Sequence, residues 1–357
     1  MSVNTVQGKI SAEKLGIVLP HEHLLIDVRN QFRPFSEVSK NAVAEGKVDL
    51  SNISLLRRNP MTVRDNLLMN DVALAEEEAM QFKKAGGDTI VDLTNLGLGR
   101  DVKALRAISR AVGIHIIAGC GYYYHDTHPL DMNEKTVEDL KNSMLADIVD
   151  GIDGTGIKAG VIGELGMSEV MHPDEKKVLL AAAKVQSITG LGIQVHIFPW
   201  NRTGKYPLGL DVLDILEAGG ADLRKVSINH VDVAMEIKFD YCLAIVKRGA
   251  IVEVDNFGHE FYVNREDRKW LPGPFATDYQ RVVLVKSLID AGFLANILIS
   301  NDICHKCLLH QYGGWGYDHI LNNIIPMMAD VGINGSEVMT MMKENTKRFL
   351  DDGKNEQ

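Results

Sequence analysis

A closed barrel of eight parallel strands, each followed by a helix, is the fold this sequence predicts. Eight short apolar runs bounded by Gly, Asn or Asp recur along its 357 residues, as strands buried on both faces of a parallel sheet require. Amphipathic segments with helix start and stop signals lie between them. That alternation holds from about residue 88 to the end, which points to a (β/α)8 TIM barrel within the α/β class.

The runs are Gly16–Pro20, Thr89–Leu93, His115–Gly119, Gly160–Glu164, Gly192–His196, Val226–His230, Ala250–Val254 and Ile297–Asn301. After the first comes a long polar stretch, at about 27–70, with no clear period until a helix at Ala73–Ala85. A connection of that length covers a site or contributes to one. Asp101 then caps a helix whose Leu105, Ile108 and Val112 share one face, and Gly113 stops it. Pro173 suits a first helical turn, with Val178, Leu179 and Val185 following as far as Gly190. Asp211–Gly219, Val233–Arg248 and Thr277–Gly292 repeat the pattern. No linker, low-complexity tract or internal repeat interrupts the chain, so residues 1–357 are expected to form one barrel domain with a long first-loop insertion.

A formal charge of -10 with scattered basic residues argues against nucleic acid as the main partner, since phosphate binding needs clustered cations. A small-molecule substrate, anionic ones included, is compatible with it. The N-terminus lacks the layout of a signal peptide and no apolar run is long enough to span a bilayer, so a cytoplasmic protein without membrane contact is expected. Cys304 and Cys307 form a Cys-x-x-Cys without a second pair, Cys120 and Cys242 standing alone; they read as reduced thiols that happen to be neighbours.

Chemistry in such a barrel lies at the carboxyl ends of the strands. His21 and His23 follow the first strand, one residue apart and therefore on one face. Glu164 ends the fourth, His196 the fifth and His230 the sixth, and Asp302 follows the eighth. Six such groups exceed what one tetrahedral zinc takes, but they suit two divalent ions about 3.5 to 4 Å apart that share a carboxylate and a hydroxide. The natural division gives one ion His21, His23 and Asp302 and the other His196 and His230, with Glu164 between.

With this ordered set the sequence resembles the phosphotriesterase-related branch of the amidohydrolase superfamily. The resemblance runs through His21-Glu22-His23, Ala159-Gly160-Val161-Ile162-Gly163-Glu164-Leu165-Gly166, Val195-His196, Asn229-His230-Val231-Asp232, Ser300-Asn301-Asp302, the stretch 313–317 and Glu344-Asn345 with Arg348-Phe349-Leu350. It implies a (β/α)8 barrel with a binuclear, usually zinc, centre that hydrolyses phosphotriesters, lactones or N-acyl amino compounds. Many members bridge the ions with a carboxylated lysine on strand four. Here Gly163 stands at that place beside Glu164, which implies the glutamate-bridged subgroup; Lys158 precedes the strand. On strand seven the triesterases carry a proton-relaying histidine, whereas this chain reads Val252-Glu253-Val254-Asp255-Asn256, leaving Asp255 or Asp232 as a relay or as an acid supporting the ligands.

The mechanism so implied has a water shared by the two ions ionising near pH ~7. Asp302 takes its proton and passes it to the leaving group. By resemblance Tyr122 contacts the substrate carbonyl, while Arg202 and His305 are candidates to meet an anionic group. The glutamate bridge favours a carboxylic derivative, an N-acyl amino compound or a lactone. The alternatives are a phosphotriesterase and, from another class, a metal-binding protein without catalysis. Many relatives are homodimers, and nothing in this sequence identifies a dimer interface.

Overall fold

Eight parallel strands hydrogen-bond in sequence order in the computed structural model, which describes residues 2–35, 41–200, 208–236, 238–269 and 271–353. They are β1 (Val18–Glu22), β2 (Thr89–Asp92), β3 (His115–Cys120), β4 (Val161–Met167), β5 (Ile193–Ile197), β6 (Val226–Ile228), β7 (Ile251–Val254) and β8 (Ile297–Ile299). Each overlaps a predicted run. The seam between β8 and β1 is closed by Ser300, whose Oγ accepts from the His21 backbone N–H at 3.1 Å and lies 2.8 Å from the His21 carbonyl. The Asp302 N–H reaches the same carbonyl at 3.2 Å. The architecture is a (β/α)8 barrel.

Helices follow where capping chemistry allows. α1 (Val72–Lys84) starts behind Asp71, and α2 (Val102–Val112) behind Asp101, whose carboxylate accepts from Lys103 and Ala104 N–H; Gly113 ends it in the left-handed region at φ 73°. α3 (Val137–Ala146) precedes β4, and α4 (Pro173–Thr189) follows it with proline in its first turn and Gly190 at its end. α5 (Gly209–Ala218), α6 (Phe239–Lys247) and α7 (Asp278–Asp290) complete the alternation before β8. The helix expected from Val233 begins six residues later. Asp232, the side chain that could cap it there, has its carboxylate on the Asn256 N–H at 3.1 Å and on Arg281 Nε at 2.9 Å.

The polar stretch after β1 has a defined base, because Ile26–Asp27 pairs antiparallel with Leu68–Met69. Within it Val48, Leu56 and Val63 form a small apolar cluster of their own. The barrel interior is filled by Val18, Val91, Leu93, Ile117, Val161, Ile251 and Leu298, and is sealed below by Val3 of the N-terminal hairpin and by Phe349. Among the described residues, no helix is long and apolar enough to cross a membrane.

Two register shifts decide what faces that interior. Between β1 and β2, Leu19 pairs with Ile90 but Glu22 with Asp92, so β1 holds one extra residue. Between β4 and β5, Ile162 pairs with Ile193 but Leu165 with Val195, again one extra. A bulge of one residue reverses the face that the following side chains take. Strict alternation from the interior-facing Val18 and Val161 would send His21 and Glu164 outward; the bulges turn both into the barrel mouth.

Candidate metal centre

At that mouth the six predicted groups converge. Glu164 Oε1 lies 2.8 Å from His230 Nε2, 2.9 Å from His196 Nδ1 and 3.4 Å from His21 Nε2. Asp302 Oδ1 lies 3.4 Å from His23 Nε2 and 3.7 Å from His21 Nε2. The two groups meet at His21, which is fully buried and whose Nε2 has no hydrogen-bond partner. A buried ring nitrogen left bare between two carboxylates is costly unless a cation sits there.

The backbone holds two of these groups under strain. His230 and Asp302 take φ values of 59° and 51°, a region that side-chain-bearing residues rarely occupy. Both Asp255 oxygens accept the His230 N–H, at 3.1 and 3.0 Å. Asp302 is fixed by its N–H to His21 and by its own carbonyl, which accepts from His259 Nε2 at 2.9 Å. Glu22, on the outer face of β1, latches the chain after β8: it accepts from Ser300 Oγ at 2.8 Å, Asn301 N at 2.8 Å, Asn301 Nδ2 at 3.0 Å and Ile303 N at 2.9 Å.

The charges are arranged for a cation. Burial pushes Glu164 upward, but His196, His21 and His230 outweigh it and hold the carboxylate well below its usual range. Asp302 is likewise held low against burial, by His23, His21 and His230. Burial works to discharge His21 and His230, yet the acids Glu164 and Asp255 beside them raise both well above the ordinary imidazole value. Paired carboxylates that draw protons onto neighbouring imidazoles offer the same lone pairs to a divalent ion. The donor set of imidazole nitrogens and carboxylate oxygens suits zinc and similar ions, so the residues fit the centre that the sequence implied.

Asp255 serves both halves of the cluster. Its Oδ1 is 3.0 Å from His230 Nδ1 and its Oδ2 3.3 Å from His21 Nδ1. Each imidazole thereby turns its Nε2 lone pair inward. Asp232 stands one layer further out, on the Asp255 and Asn256 N–H groups and in a fully buried ion pair with Arg281. Strand four explains the missing lysine. At Gly163 a Cβ would lie 2.7 Å from both the Cβ and the carbonyl oxygen of Gln194, and φ is 143°, so this backbone takes no side chain there. Lys158 is exposed beside the N-terminal hairpin.

A cavity of about 450 Å³ opens above the cluster, lined by His23, Glu164, His196, His230 and Asp302, by the apolar Phe198, Trp200, Leu271 and Phe275, and by Arg33 of the first loop. Tyr122 requires a correction. Its hydroxyl turns away to Ser143 Oγ at 3.1 Å, because Gly121, at φ 134°, redirects the chain there. Tyr123 and Tyr124 line the cavity instead, with their hydroxyls on His196 Nδ1 at 3.2 Å and on His196 Nε2 respectively. They come this close because strand four has only Gly166 beneath them, where a Cβ would lie 2.5 Å from the Tyr124 nitrogen. His305 does line the cavity, its pKa pushed down to about 3 chiefly by burial, so it is a neutral imidazole with Nε2 free of hydrogen bonds. Arg202 lies outside the described residues. Cys304 also faces the cavity, and burial raises its thiol well above the ordinary value, against any thiolate role.

Sequence reasoning missed Glu22 as a latch, Tyr123, Tyr124, and His259. One available signal was Glu22 itself, a charge inside an apolar strand that burial obliges to find donors.

The model of the phosphotriesterase family matches residues 1–350. An N-acetyltaurine hydrolase of Danio rerio is 36% identical over 351 residues, covering 98% of this chain and 97% of that protein. Among solved structures, a resiniferatoxin-binding protein from Rhodobacter sphaeroides superposes with a TM-score of 0.92 at 33% identity, over 98% of this chain and 95% of the other. The phosphotriesterase homology protein from Escherichia coli, complexed with phosphate in its active site, gives 0.75 at 28% identity, over 95% and 99%. By fold and sequence, this chain belongs to the phosphotriesterase family.

Proposed function

We propose that the chain hydrolyses N-acyl amino compounds that carry an anionic tail, using two divalent ions, zinc by preference. His21, His23 and Asp302 would hold one ion, His196 and His230 the other, with Glu164 shared. The observation that carries this reading is the meeting of three imidazoles on Glu164 Oε1 within 3.4 Å, next to an Asp302 aimed at His21 and His23. When bound, the ions supply a hydroxide source at neutral pH and an electrophile for the acyl oxygen.

The chain's own groups do the rest. Asp302 accepts the proton of the attacking water and returns it to the leaving amine nitrogen, so that a carboxylic acid and an amine result. Tyr123 and Tyr124 steady His196 and narrow the space above it. The aromatic wall of Phe198, Trp200 and Phe275 gives the acyl group an apolar seat that keeps bulk water from the reacting carbonyl. Arg33 is the one arginine or lysine lining the cavity among the described residues, and a sulfonate or carboxylate tail would meet its charge. Likeness to the N-acetyltaurine hydrolase over nearly the whole chain supports an acyl amide ahead of a lactone or a phosphotriester.

The test is a turnover screen by mass spectrometry on zinc-loaded and chelator-stripped protein, with N-acyl aminosulfonates, N-acyl amino acids, sugar lactones and phosphotriesters in matched panels. Cleavage of the acyl amides, lost on stripping and regained with zinc, is expected. Turnover confined to lactones or triesters, or untouched by metal removal, overturns the reading.

A further inference from the structure

At the rim of the barrel, apart from the six residues above, two histidines and an aspartate bring ligand atoms within 4.8 Å of one another: His125 and His128 on the loop after β3, and Asp174 in the first turn of α4. We propose that these three form a separate binding site for a divalent ion of the zinc type, which clamps the tyrosine-bearing loop to α4.

Hydrogen bonding decides how each donor is presented. His128 Nε2 is 2.8 Å from the Tyr123 carbonyl. A carbonyl only accepts, so Nε2 carries the hydrogen and Nδ1 carries the lone pair. That Nδ1 is buried and has no hydrogen-bond partner. An imidazole whose one nitrogen donates to a backbone carbonyl while the other waits bare is arranged as metal-binding histidines are.

Asp174 is prepared in the same sense. Lys177 Nζ holds its Oδ1 at 2.8 Å and is itself tied to the carbonyls of Met132 and Lys135 at 2.8 and 2.9 Å. The other oxygen, Oδ2, faces the imidazoles, 3.9 Å from His125 Nδ1 and 3.5 Å from His172 Nδ1. His172 is not a ligand in this arrangement, because its Nδ1 accepts from the Asp174 N–H at 3.2 Å. Its ring stacks on His125 at 3.4 Å between centroids and 19° between planes, which fixes the His125 orientation.

The scaffold is built before any ion arrives. The Glu175 carboxylate accepts from His125 N at 3.1 Å, from Ser168 N at 3.2 Å and from His172 N at 2.8 Å, so one acid beside Asp174 joins the loop of His125 to the turn that leads into α4. Two imidazoles and one carboxylate, with solvent completing the shell, favour zinc, nickel or copper over magnesium or calcium. The consequence reaches the cavity. The carbonyl that orients His128 belongs to Tyr123, whose hydroxyl lies on His196, so an ion at the rim fixes the wall against which the substrate sits.

Crystals of zinc-loaded protein, measured above and below the zinc absorption edge, should show an anomalous peak about 2.0–2.2 Å from a nitrogen of His125, His128 Nδ1 and Asp174 Oδ2, separate from those at the barrel mouth. In solution, equilibrium dialysis against zinc with elemental analysis should find one zinc per chain fewer on His128→Ala and on Asp174→Asn than on the unaltered protein, with no loss from the barrel-mouth complement. Rim density that appears with magnesium or calcium but not with zinc overturns the proposal, as does zinc stoichiometry equal in all three proteins with no rim peak. Should either variant fold poorly, the anomalous map of the unaltered protein decides.

Discussion

Asp255 grips His230 twice, taking its backbone N–H through both oxygens and its Nδ1 at 3.0 Å, and the same carboxylate lies 3.3 Å from His21 Nδ1. One buried acid thus sets the tautomer of an imidazole in each half of the cluster. His230, His21 and their positive charge hold Asp255 ionised despite the burial that opposes it. The Asp255→Asn variant keeps the shape but puts an amide where the charge was. Zinc affinity should fall about 10- to 100-fold, as measured by competition with a chromogenic chelator. An unchanged affinity would reduce Asp255 to a structural acid.

Asp302 is the acid proposed for proton transfer, and its place beside both His21 and His23 would give it a metal-binding role as well. The two are separable by measuring metal content and rate on the same sample of Asp302→Asn. Turnover should drop by about 10²- to 10⁴-fold, the usual worth of a positioned acid or base, even in protein that retains its full metal complement. If fully loaded protein turns over at the original rate, the proton takes another path.

The barrel, and the six side chains that cluster at its mouth, were legible because both rest on short-range chemistry. Apolar runs, Asp101, Thr277 and Pro173 as helix starts, and glycines as stops act within a few residues. What the sequence did not disclose depends on pairing between distant segments. The β1 and β4 bulges turn His21 and Glu164 inward through register with β2 and β5, which no local pattern encodes. The tyrosines illustrate the same limit: three in a row cannot be told apart until Gly121 and Gly166 set the loop against strand four, which sends Tyr122 to Ser143 and its two neighbours to His196. Asp232, read from the sequence as a relay or an acid supporting the ligands, pairs with Arg281, a residue 49 positions later.

Glu22 offers a stability test free of catalytic interpretation. Its Oε1 takes three donors from Ser300 and Asn301, and its Oε2 takes the Ile303 N–H. In Glu22→Gln the amide oxygen can replace only one of these atoms, and the NH₂ must face a donor with a donor. A buried group so left costs about 1–3 kcal/mol. Chemical denaturation should show the midpoint falling with the slope unchanged. A midpoint equal to that of the unaltered protein would show that the latch between β1 and the chain after β8 relaxes without cost.

Arg33 carries the specificity argument, because it stands on the long first loop and brings a positive charge into a cavity whose catalytic end is crowded with acids. Its Nη1 donates to the carbonyls of Asn30 and Phe32, at 3.1 and 2.9 Å, which hold the guanidinium at the cavity wall. Charged hydrogen bonds are worth about 1.5–3 kcal/mol, or roughly 10- to 100-fold in binding. Arg33→Ala should therefore raise KM by that factor for acyl amides with an anionic tail and leave their kcat near its original value. A neutral analogue of equal length should show no such change. Equal losses on both substrates would mean that Arg33 holds the loop and not the tail, and the anion would then have to be read by another group at the rim.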